Sequence, residues 1–327
     1  MTSWSIFNDN PTQLATNAKE ELTKIMQYEL PKNSIKHFYK YSSAETAAKV
    51  IAARSFRWSS PLLFNDPFDH QTGFHFQYSG EALASRLLTA SESAIFDGTN
   101  FNPAHRTGYG EALRAMRKIR HRLPRKKVME EMRASSDEVA ANFPALCKKL
   151  NRDITSFLTH SRVICLSETA TNVVMWSHYA EAHRGVAFKL RRLEAIDHRF
   201  LIARKVLYTN EPLGYLDIEK YVDNLMGLAA HEVAPLVWEI AFRKNVDWAY
   251  EREWRVHISL LDSAAELGTT DYPEPEDLFE AIYLGCRSTR ESAENLIHLC
   301  RQFLPRTEIY KAKKTSELMV LEFERIA

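Results

Sequence analysis

Glycine is scarce in this chain, at 10 of 327 residues, against a usual share of roughly 7%. No G-x-G-x-x-G or G-x-x-x-x-G-K-[ST] string occurs. The glycine-lined phosphate cradles of dinucleotide folds and P-loops therefore have no sequence support, which argues against a dehydrogenase or a Walker-type NTPase. The four cysteines, Cys147, Cys165, Cys286 and Cys300, form no C-x-x-C pair, so a zinc ribbon or a redox dithiol is unsupported. No window approaches the ~20 apolar residues of a membrane span, and Met1 to Asn10 lacks a basic stretch followed by an apolar one. Charge of one sign is not in excess either, since 43 Lys and Arg face 42 Asp and Glu. Any attraction to a polyanion must be local. What is present is 45% hydrophobic and 26% charged residues, enough for a core in one large or two modest domains. The expectation is a reduced, soluble, cytoplasmic protein without membrane contact.

Periodicity divides the chain. Leu14, Leu22, Ile25 and Met26 recur at roughly helical spacing ahead of Pro31, which predicts a leading helix within residues 1–35. His37 to Tyr41 reads as a strand, Ser43 as the N-cap of a helix over Ala44 to Arg54, and Phe56 to Ser60 as a second strand. Between Gln77 and Thr159 the texture is Ala-, Arg-, Lys- and Glu-rich and helical, interrupted around Asp97 to Pro103. We read residues 78–160 as a helical insertion in a single α+β domain over 36–327. Strand-like segments follow at Val163–Leu166, Gly185–Leu190, Lys205–Tyr208, Trp254–Leu261, Ala281–Leu284, Glu308–Tyr310 and Leu318–Phe323, with helical stretches at Leu216–Arg243 and Thr289–Phe303. The sum is α+β, with a mixed or antiparallel sheet assembled from both ends of the chain.

Two strings stand out for chemistry. In Tyr250-Glu251-Arg252-Glu253-Trp254-Arg255-Val256-His257-Ile258 an extended strand puts Glu251, Glu253, Arg255 and His257 on one face and Trp254, Val256 and Ile258 on the other. Two carboxylates so close raise the pKa of one of them, while Arg255 favours ionisation. Such a face can stabilise a cation and take a proton; it can equally be an exposed strand face laced with salt bridges. The second string is Met175-Trp176-Ser177-His178-Tyr179, a helix with an N-cap at Thr171-Asn172 and Gly185 ahead of a strand. Here Trp176 and Tyr179 are either site residues or packing aromatics whose polar tips find partners. His178 and His183 are five apart, a poor spacing for two metal ligands on one helix face, and H-E-x-x-H is absent.

Phe64-Asn65-Asp66-Pro67-Phe68-Asp69 is a polar turn between aromatics, in which Asn65 is expected to close an Asx-turn and Pro67 to hold Asp66 extended. Asp66 and Asp69 either stabilise the turn or meet a metal or a ribose hydroxyl. Arg114 to Lys127 carries eight cations, Arg114, Arg117, Lys118, Arg120, Arg122, Arg125, Lys126 and Lys127, with no acid between them. This run is a candidate nucleic-acid surface or a solvated helix face paired with acids elsewhere.

Tyr39-Lys40-Tyr41, F-N-D-P-F-D, M-W-S-H-Y with Gly185-Val186, Y-E-R-E-W-R and Ile282-Tyr283-Leu284-Gly285 occur in an order that resembles a widespread bacterial domain of unknown function. The resemblance spans about residues 36–326 apart from the helical insertion. It carries no established chemistry; its genes resemble prokaryotic defence and mobile-element genes in context. A more distant likeness is to ADP-ribosyltransferases, which hold NAD in a cleft of a split sheet. That likeness implies a polar first-strand residue at Lys40 or Tyr39, a middle Ser177 or Tyr179, and a late-strand Glu253 with Glu251 two residues before it. Lys40 stands where those enzymes carry His or Arg, and Ser177-His178-Tyr179 reads as helix rather than strand.

The resulting expectation is an NAD-cleaving ADP-ribosyltransferase or NAD glycohydrolase, acting as a defence or toxin effector without a metal. Its catalytic residues would be Glu253, Glu251 and Tyr179, and its NAD-binding residues Tyr39, Lys40, Tyr41, Asn65, Asp66, Trp176, Ser177, His178 and Arg255. Glu253 would face the ribose, Glu251 the acceptor nucleophile, Arg255 a carboxylate or the pyrophosphate, and Tyr179 would stack on nicotinamide. The basic run would meet a nucleic acid or another macromolecular acceptor, and a partner protein of a defence system is a further expectation. Two other readings stay open: a metal-dependent nuclease using Asp66, Asp69, Glu251 and Glu253, and a non-catalytic module binding nucleic acid or protein.

Overall fold

A computed structural model describes residues 32–70, 73–97, 101–232, 234–260, 267–315 and 319–327. The helix expected over Asn10 to Tyr28 lies outside the described residues. The described residues divide into two compact units, one within Thr72–Phe157 and Glu211–Ile240, the other within Glu29–Gln71, Leu158–Asn210 and Ala241–Ala327. No helix among the described residues is long and apolar enough to cross a membrane.

The first unit is helical. Ser79 starts the helix Gly80–Phe96 by accepting from the Ala82 amide, and Thr107 starts Gly108–Lys118 by accepting from that of Gly110. Such caps satisfy donors that a helix start leaves orphaned. The helix Arg125–Thr159 begins directly after Pro124, which has no amide to lose at a helix start. Leu83, Leu87, Ala94 and Ile95 pack with Leu113, Phe143, Val222 and Met226 into one core. The stretch expected as one helix over Leu216–Arg243 is instead two, Ile218–Met226 and Ala234–Ala241. Gly227 ends the first of them in the left-handed region at φ 73°, a conformation that suits glycine.

The second unit holds the strands: β1 His37–Ser42, β2 Ser55–Ser59, β3 Ser161–Ser167, β4 Val186–Arg191, β5 Arg204–Lys205, β6 Leu207–Tyr208, β7 Arg243–Lys244, β8 Glu253–Ser259, β9 Thr269–Pro273, β10 Phe279–Leu284, β11 Glu308–Lys314 and β12 Leu321–Arg325. Ten form one sheet in the order β12-β11-β10-β4-β1-β3-β2-β9, with β8 beside β3 and β5 beside β8; β6 and β7 make a small separate sheet. β10 and β11 run parallel, as do β6 and β7, and the other pairs are antiparallel. The fold is α+β with a mixed, mostly antiparallel sheet. The edge strand β9 has no counterpart among the expected strands, because Tyr272 is its one ring packed on the core and its other residues give no apolar alternation.

One face of this sheet is covered by the helices Ala44–Ala53 and Arg290–Phe303. Ala47, Val50 and Ile51 of the first and Leu296 and Cys300 of the second pack on Phe38, Phe56, Trp58, Ile164, Leu166, Phe188, Ile282 and Ile309. Ser43 caps the first helix as its sequence predicts, accepting from Thr46 N. The opposite face carries the helix Val173–Tyr179, whose Met175 and Trp176 pack on Tyr41, Ala187 and Leu321.

The sheet has a pinch that positions the site. β3 pairs with β8 along its whole length, from Ser161 opposite Ser259 to Ser167 opposite Glu253. Its other edge meets β1 only at Tyr39 and Ser167, and β2 only at Ser59 and Val163. Between those two points the Cys165 carbonyl accepts instead from the Lys40 ammonium at 2.9 Å. A tight crossing lies where the turn after Tyr179 meets the end of β10. Glu181, Ala182 and His183 all hold positive φ, at 51°, 50° and 69°. Gly285 N–H donates to the Gly185 carbonyl at 2.9 Å, and a Cβ on Gly285 would lie 2.1 Å from the His183 carbonyl oxygen. Gly285→Ala is therefore expected to destabilise the protein by about 1–3 kcal/mol, the usual cost of overpacking. Urea denaturation measures this, and an unchanged midpoint would contradict the crossing described.

Candidate functional site

β8 alternates as its sequence predicts, with Val256 in the helix-covered core and Trp254 and Ile258 packed against it. The charged face, however, is not an exposed strand face: Glu253 is 3%, Arg255 0% and His257 2% exposed. Nor does Glu251 share that strand. It ends the 3-10 turn Val246–Glu251, and Arg252, at φ 46°, turns the chain into β8. The two glutamates are brought together by this turn and by Lys244 of β7, not by alternation.

Lys244 donates to Glu251 Oε2 at 2.6 Å and to Glu253 Oε2 at 3.1 Å. Arg255 holds Glu253 through Nε at 2.7 Å and Nη2 at 3.0 Å, and holds Asp69 through Nη1 at 2.8 Å and Nη2 at 2.6 Å. Its Nη1 also donates to the Ala241 carbonyl at 3.0 Å. His70 Nδ1 meets Asp69 Oδ1 at 2.7 Å, and the His70 ring stacks on His257 at 6.4 Å. At the other end the Tyr179 hydroxyl donates to Glu251 Oε1 at 2.5 Å. Backbone contacts fix the row, since Ser167 Oγ donates to the Glu251 carbonyl at 2.7 Å and the Glu253 amide donates to the Tyr208 hydroxyl at 2.8 Å. Rings flank the cations, with Lys244 Nζ 4.9 Å from the Trp248 centroid and the Arg255 guanidinium 5.8 Å from that of Phe64, distances at which a cation is attracted to a ring face.

The row separates its carboxylates electrically. Burial raises the pKa of Glu253, but Arg255 and Lys244 outweigh it and hold Glu253 at about 2. Burial works in the same direction on Asp69, and Arg255 with His70 holds it well below the usual carboxylate range. Glu251 goes the other way: burial and the charge of Glu253 raise it above the ordinary value despite Lys244 and Tyr179. Burial opposes the charge on Lys244, yet Glu253, Glu251 and Asp69 keep its pKa above the usual lysine value. Burial and Glu251 push the Tyr179 phenol up, so it remains a donor. His70 and His257 are both lowered, first by burial, and stay neutral. Two neighbouring carboxyl groups with pKa values pushed apart is the pattern of an acid/base site.

The row opens into a cavity of about 200 Å³ at the pinch of the sheet. Tyr39, Lys40 and Tyr41 of β1 line it, with Cys165, Leu166 and Ser167 of β3, Met175 and Tyr179 of the helix, Phe64, Asn65 and Asp69 of the turn, and Lys244, Glu251 and Glu253. The structure thus brings together Tyr39, Lys40, Tyr41, Asn65, Tyr179, Glu251 and Glu253 of the expected set.

Other expected members stand elsewhere. Trp176 is fully buried, donates to the Ala170 carbonyl at 2.6 Å and packs edge-on to Tyr41. Ser177 Oγ meets His183 Nε2 at 3.2 Å, and His178 Nδ1 meets the Tyr250 hydroxyl at 3.0 Å; neither lines the cavity. Asp66, not Asn65, closes the Asx-turn, accepting from Phe68 N at 2.9 Å. Arg255 lies behind the carboxylates with its fork engaged by Glu253 and Asp69, so it does not face a ligand phosphate. Lys244, Phe64, Cys165, Ser167 and Met175 line the cavity without having been picked out. From sequence, Asp69 is expected to meet a turn, a metal or a ribose hydroxyl, not the Arg255 guanidinium. Lys244 had a faint signal, a cation seven residues before Glu251, but a two-residue strand offers no periodicity to read.

Arg255→Met would leave Glu253 and Asp69 buried with Lys244 alone, and is expected to cost about 3–5 kcal/mol in urea denaturation. Arg255→Lys keeps the charge without the fork and is expected to recover only part of that loss. The depressed carboxylates also set an acid limb. Their contribution is complete above the unfolded value of ~4.3 for glutamate and is lost as pH falls through the folded value of about 2 for Glu253. The urea midpoint should drop across that window, and Glu253→Gln should flatten the slope; a wild-type midpoint independent of pH there would contradict the ion-paired row.

A family model described as a protein of unknown function (DUF2971) matches residues 175–256. No curated protein and no solved structure matches the chain. The matched segment runs from Met175 through Tyr179, Lys244, Glu251 and Glu253 to Arg255 and Val256, and so contains both the M-W-S-H-Y and the Y-E-R-E-W-R motifs. Over residues 175–256 the chain is similar to this family of unknown function, as the order of its motifs indicates.

Proposed function

We propose that the second unit is an NAD-cleaving enzyme, an ADP-ribosyltransferase or NAD glycohydrolase. The observation that carries this reading is the convergence of Tyr39, Lys40 and Tyr41 from the first strand with Tyr179, Glu251 and Glu253 on one cavity. The single-pair junction of β1 with β3 supports the likeness to a split sheet. The setting as a defence or toxin effector rests on the motif resemblance alone.

The chemistry asks for negative charge where the ribose becomes cationic as the bond to nicotinamide breaks. Asp69, Glu251 and Glu253 carry three negative charges against the two positive charges of Lys244 and Arg255, so the row has one net negative charge when Glu251 is ionised and none when it is protonated. Glu253 has its oxygens taken by Arg255 and Lys244, which makes it the fixed charge. Glu251 is then the changing one, the role at the acceptor nucleophile also expected from sequence. In the reaction the glycosidic C–N bond breaks, nicotinamide leaves with the electron pair, and the oxygen of water or an acceptor bonds to the ribose carbon. The proton of that nucleophile passes to Glu251.

The cluster favours this reading over a metal-dependent nuclease. Among the described residues no group of three or more His, Cys, Asp or Glu is placed to hold a metal ion, and the shared carboxylate oxygens already face Lys244 and Arg255. Asp66, the fourth carboxylate that reading needs, closes its own turn.

A second observation bears on the acceptor. In the first unit, Arg117 donates to the Ala94 and Asp97 carbonyls, Arg125 pairs with Glu92 and Asp97, and Arg114 with Glu111. Lys118, Arg120, Arg122, Lys126 and Lys127 are exposed and form no ion pair with an acid among the described residues. We propose that these five, rather than all eight, are the cations that meet a nucleic-acid backbone or a similarly anionic acceptor.

Release of nicotinamide from NAD by the purified chain tests the first proposal. Glu251→Gln is expected to lower turnover about 10²–10⁴-fold, the usual weight of a general base, and Tyr179→Phe to move the acid limb of the rate profile to higher pH, since the phenol's hydrogen bond favours ionised Glu251. Turnover unaffected by Glu251→Gln would contradict the assignment. For the cationic corner, a binding titration at several salt concentrations is expected to lose about one unit of slope per removed phosphate contact. Charge-removing changes at Lys118 and Lys126 should therefore reduce the slope of log affinity against log salt by about two. An unchanged slope would exclude the corner from binding.

A further inference from the structure

The cavity, at about 200 Å³, falls below the ~300–1,000 Å³ of sites that enclose a drug-sized ligand. It can take one ring with its sugar, and the remainder of a dinucleotide must lie outside. The sheet face that leads away from the cavity has a distinct construction. Tyr39, which lines the cavity, is 6.2 Å from the Tyr283 ring, and Tyr283 is 5.1 Å from Tyr310 and 4.5 Å from Phe323.

The register explains how these rings come to share a surface. Tyr41 stands opposite Ala187, Ala187 opposite Tyr283, and Tyr283 opposite Tyr310, across β1, β4, β10 and β11. On the next rung Tyr39 faces Lys189, which faces Ala281. Ala187 and Ala281, the small residues between the rings, are 0% and 1% exposed. Tyr39, Tyr283 and Tyr310 are each half-buried. Three strand spacings of ~4.8 Å separate β1 from β11, a span of roughly 14 Å.

This surface also carries positive charge. Lys189 and Arg191 both pair with Glu280, and His37, the third partner of that carboxylate, has its pKa lowered by burial. The group therefore keeps one net positive charge beside Tyr39. Half-buried rings along a sheet, with a cation beside them, are the elements from which surfaces that stack bases and pass phosphates are built.

We infer that the row from Tyr39 to Tyr310 is the platform for the far half of the dinucleotide, with the purine on Tyr283 and Tyr310 and the pyrophosphate beside Lys189. This rests on the NAD reading of the cavity and names a subsite that the catalytic residues do not include. The occupant is a purine nucleotide because the platform adjoins the cavity at Tyr39, and the half of NAD that continues past the nicotinamide and its sugar carries the purine.

The test compares wild type with Tyr310→Ala and Tyr283→Ala in two assays, the KM and kcat of nicotinamide release from NAD and the Kd for ADP-ribose by calorimetry. Tyr310 is only half-buried, and thermal unfolding of its variant checks that the fold is kept. Each variant should raise KM and Kd about tenfold to a hundredfold with kcat unchanged, the range of one lost stacking contact, and Tyr283→Phe should restore both. A wild type that cleaves NAD, with KM and Kd unmoved in Tyr310→Ala and Tyr283→Ala, would overturn the platform and leave the NAD reading intact. Tyrosine-dependent binding of ADP-ribose without nicotinamide release would keep the platform and overturn NAD cleavage. A wild type that neither binds nor cleaves would overturn both.

Discussion

Two cations holding three carboxylates in one buried row is the constraint on which the rest of the site depends. Taking five charges out of water costs several kcal/mol per ion unless each is paired and hydrogen-bonded. Here the planar fork of Arg255 serves Glu253 and Asp69 at once, and Lys244 serves Glu253 and Glu251. These bonds tie the turn at Asp69 to the two-residue strand β7 and the start of β8, which are near each other in sequence but far along the chain from that turn. Removing one member leaves the others uncompensated, which is why the row sets both local geometry and acid sensitivity.

The same arithmetic gives the row its chemical asymmetry. With two cations for three carboxylates, the one farthest from Arg255 must carry the deficit, and that one is Glu251, beside the cavity. Its partner Tyr179 comes from the helix over the pinch, where β1 leaves the edge of β3. Fold and function meet at this point: the sheet's failure to pair continuously makes room, and the turn before β8 sets a titratable group at the opening. A fold by itself hosts many chemistries, so the functional reading stands on this group and its neighbours.

Much of the local structure was legible in the residues. Ser43 and Asn172 cap their helices as their positions suggest, and alternation put Glu253, Arg255 and His257 on one face of β8. That face was legible in direction but not in burial, because alternation cannot say whether a charged face meets water or other charges brought from elsewhere. The partners that bury it, Lys244 and Asp69, lie in a strand of two residues and in a turn, where no period exists. Asn65 and Asp66 exchanged roles for a similar reason, since either side chain can close an Asx-turn and only the backbone geometry decides. Trp176, taken as a candidate contact, is core, because a long aromatic on a short helix is drawn inward unless its polar tip is needed. The strand β9 escaped because an edge strand that sets a single ring, Tyr272, on the core leaves no apolar alternation.

The central claim is that the row fixes Glu253 as an anion and leaves Glu251 to titrate. Carbon-13 NMR of glutamate side-chain carboxyls, with Glu251→Gln and Glu253→Gln used to assign the two signals, measures this directly. The account predicts that Glu251 titrates above the ordinary glutamate value while Glu253 remains ionised until pH approaches about 2. Two carboxyls titrating together near the ordinary value, or the order reversed, would contradict it.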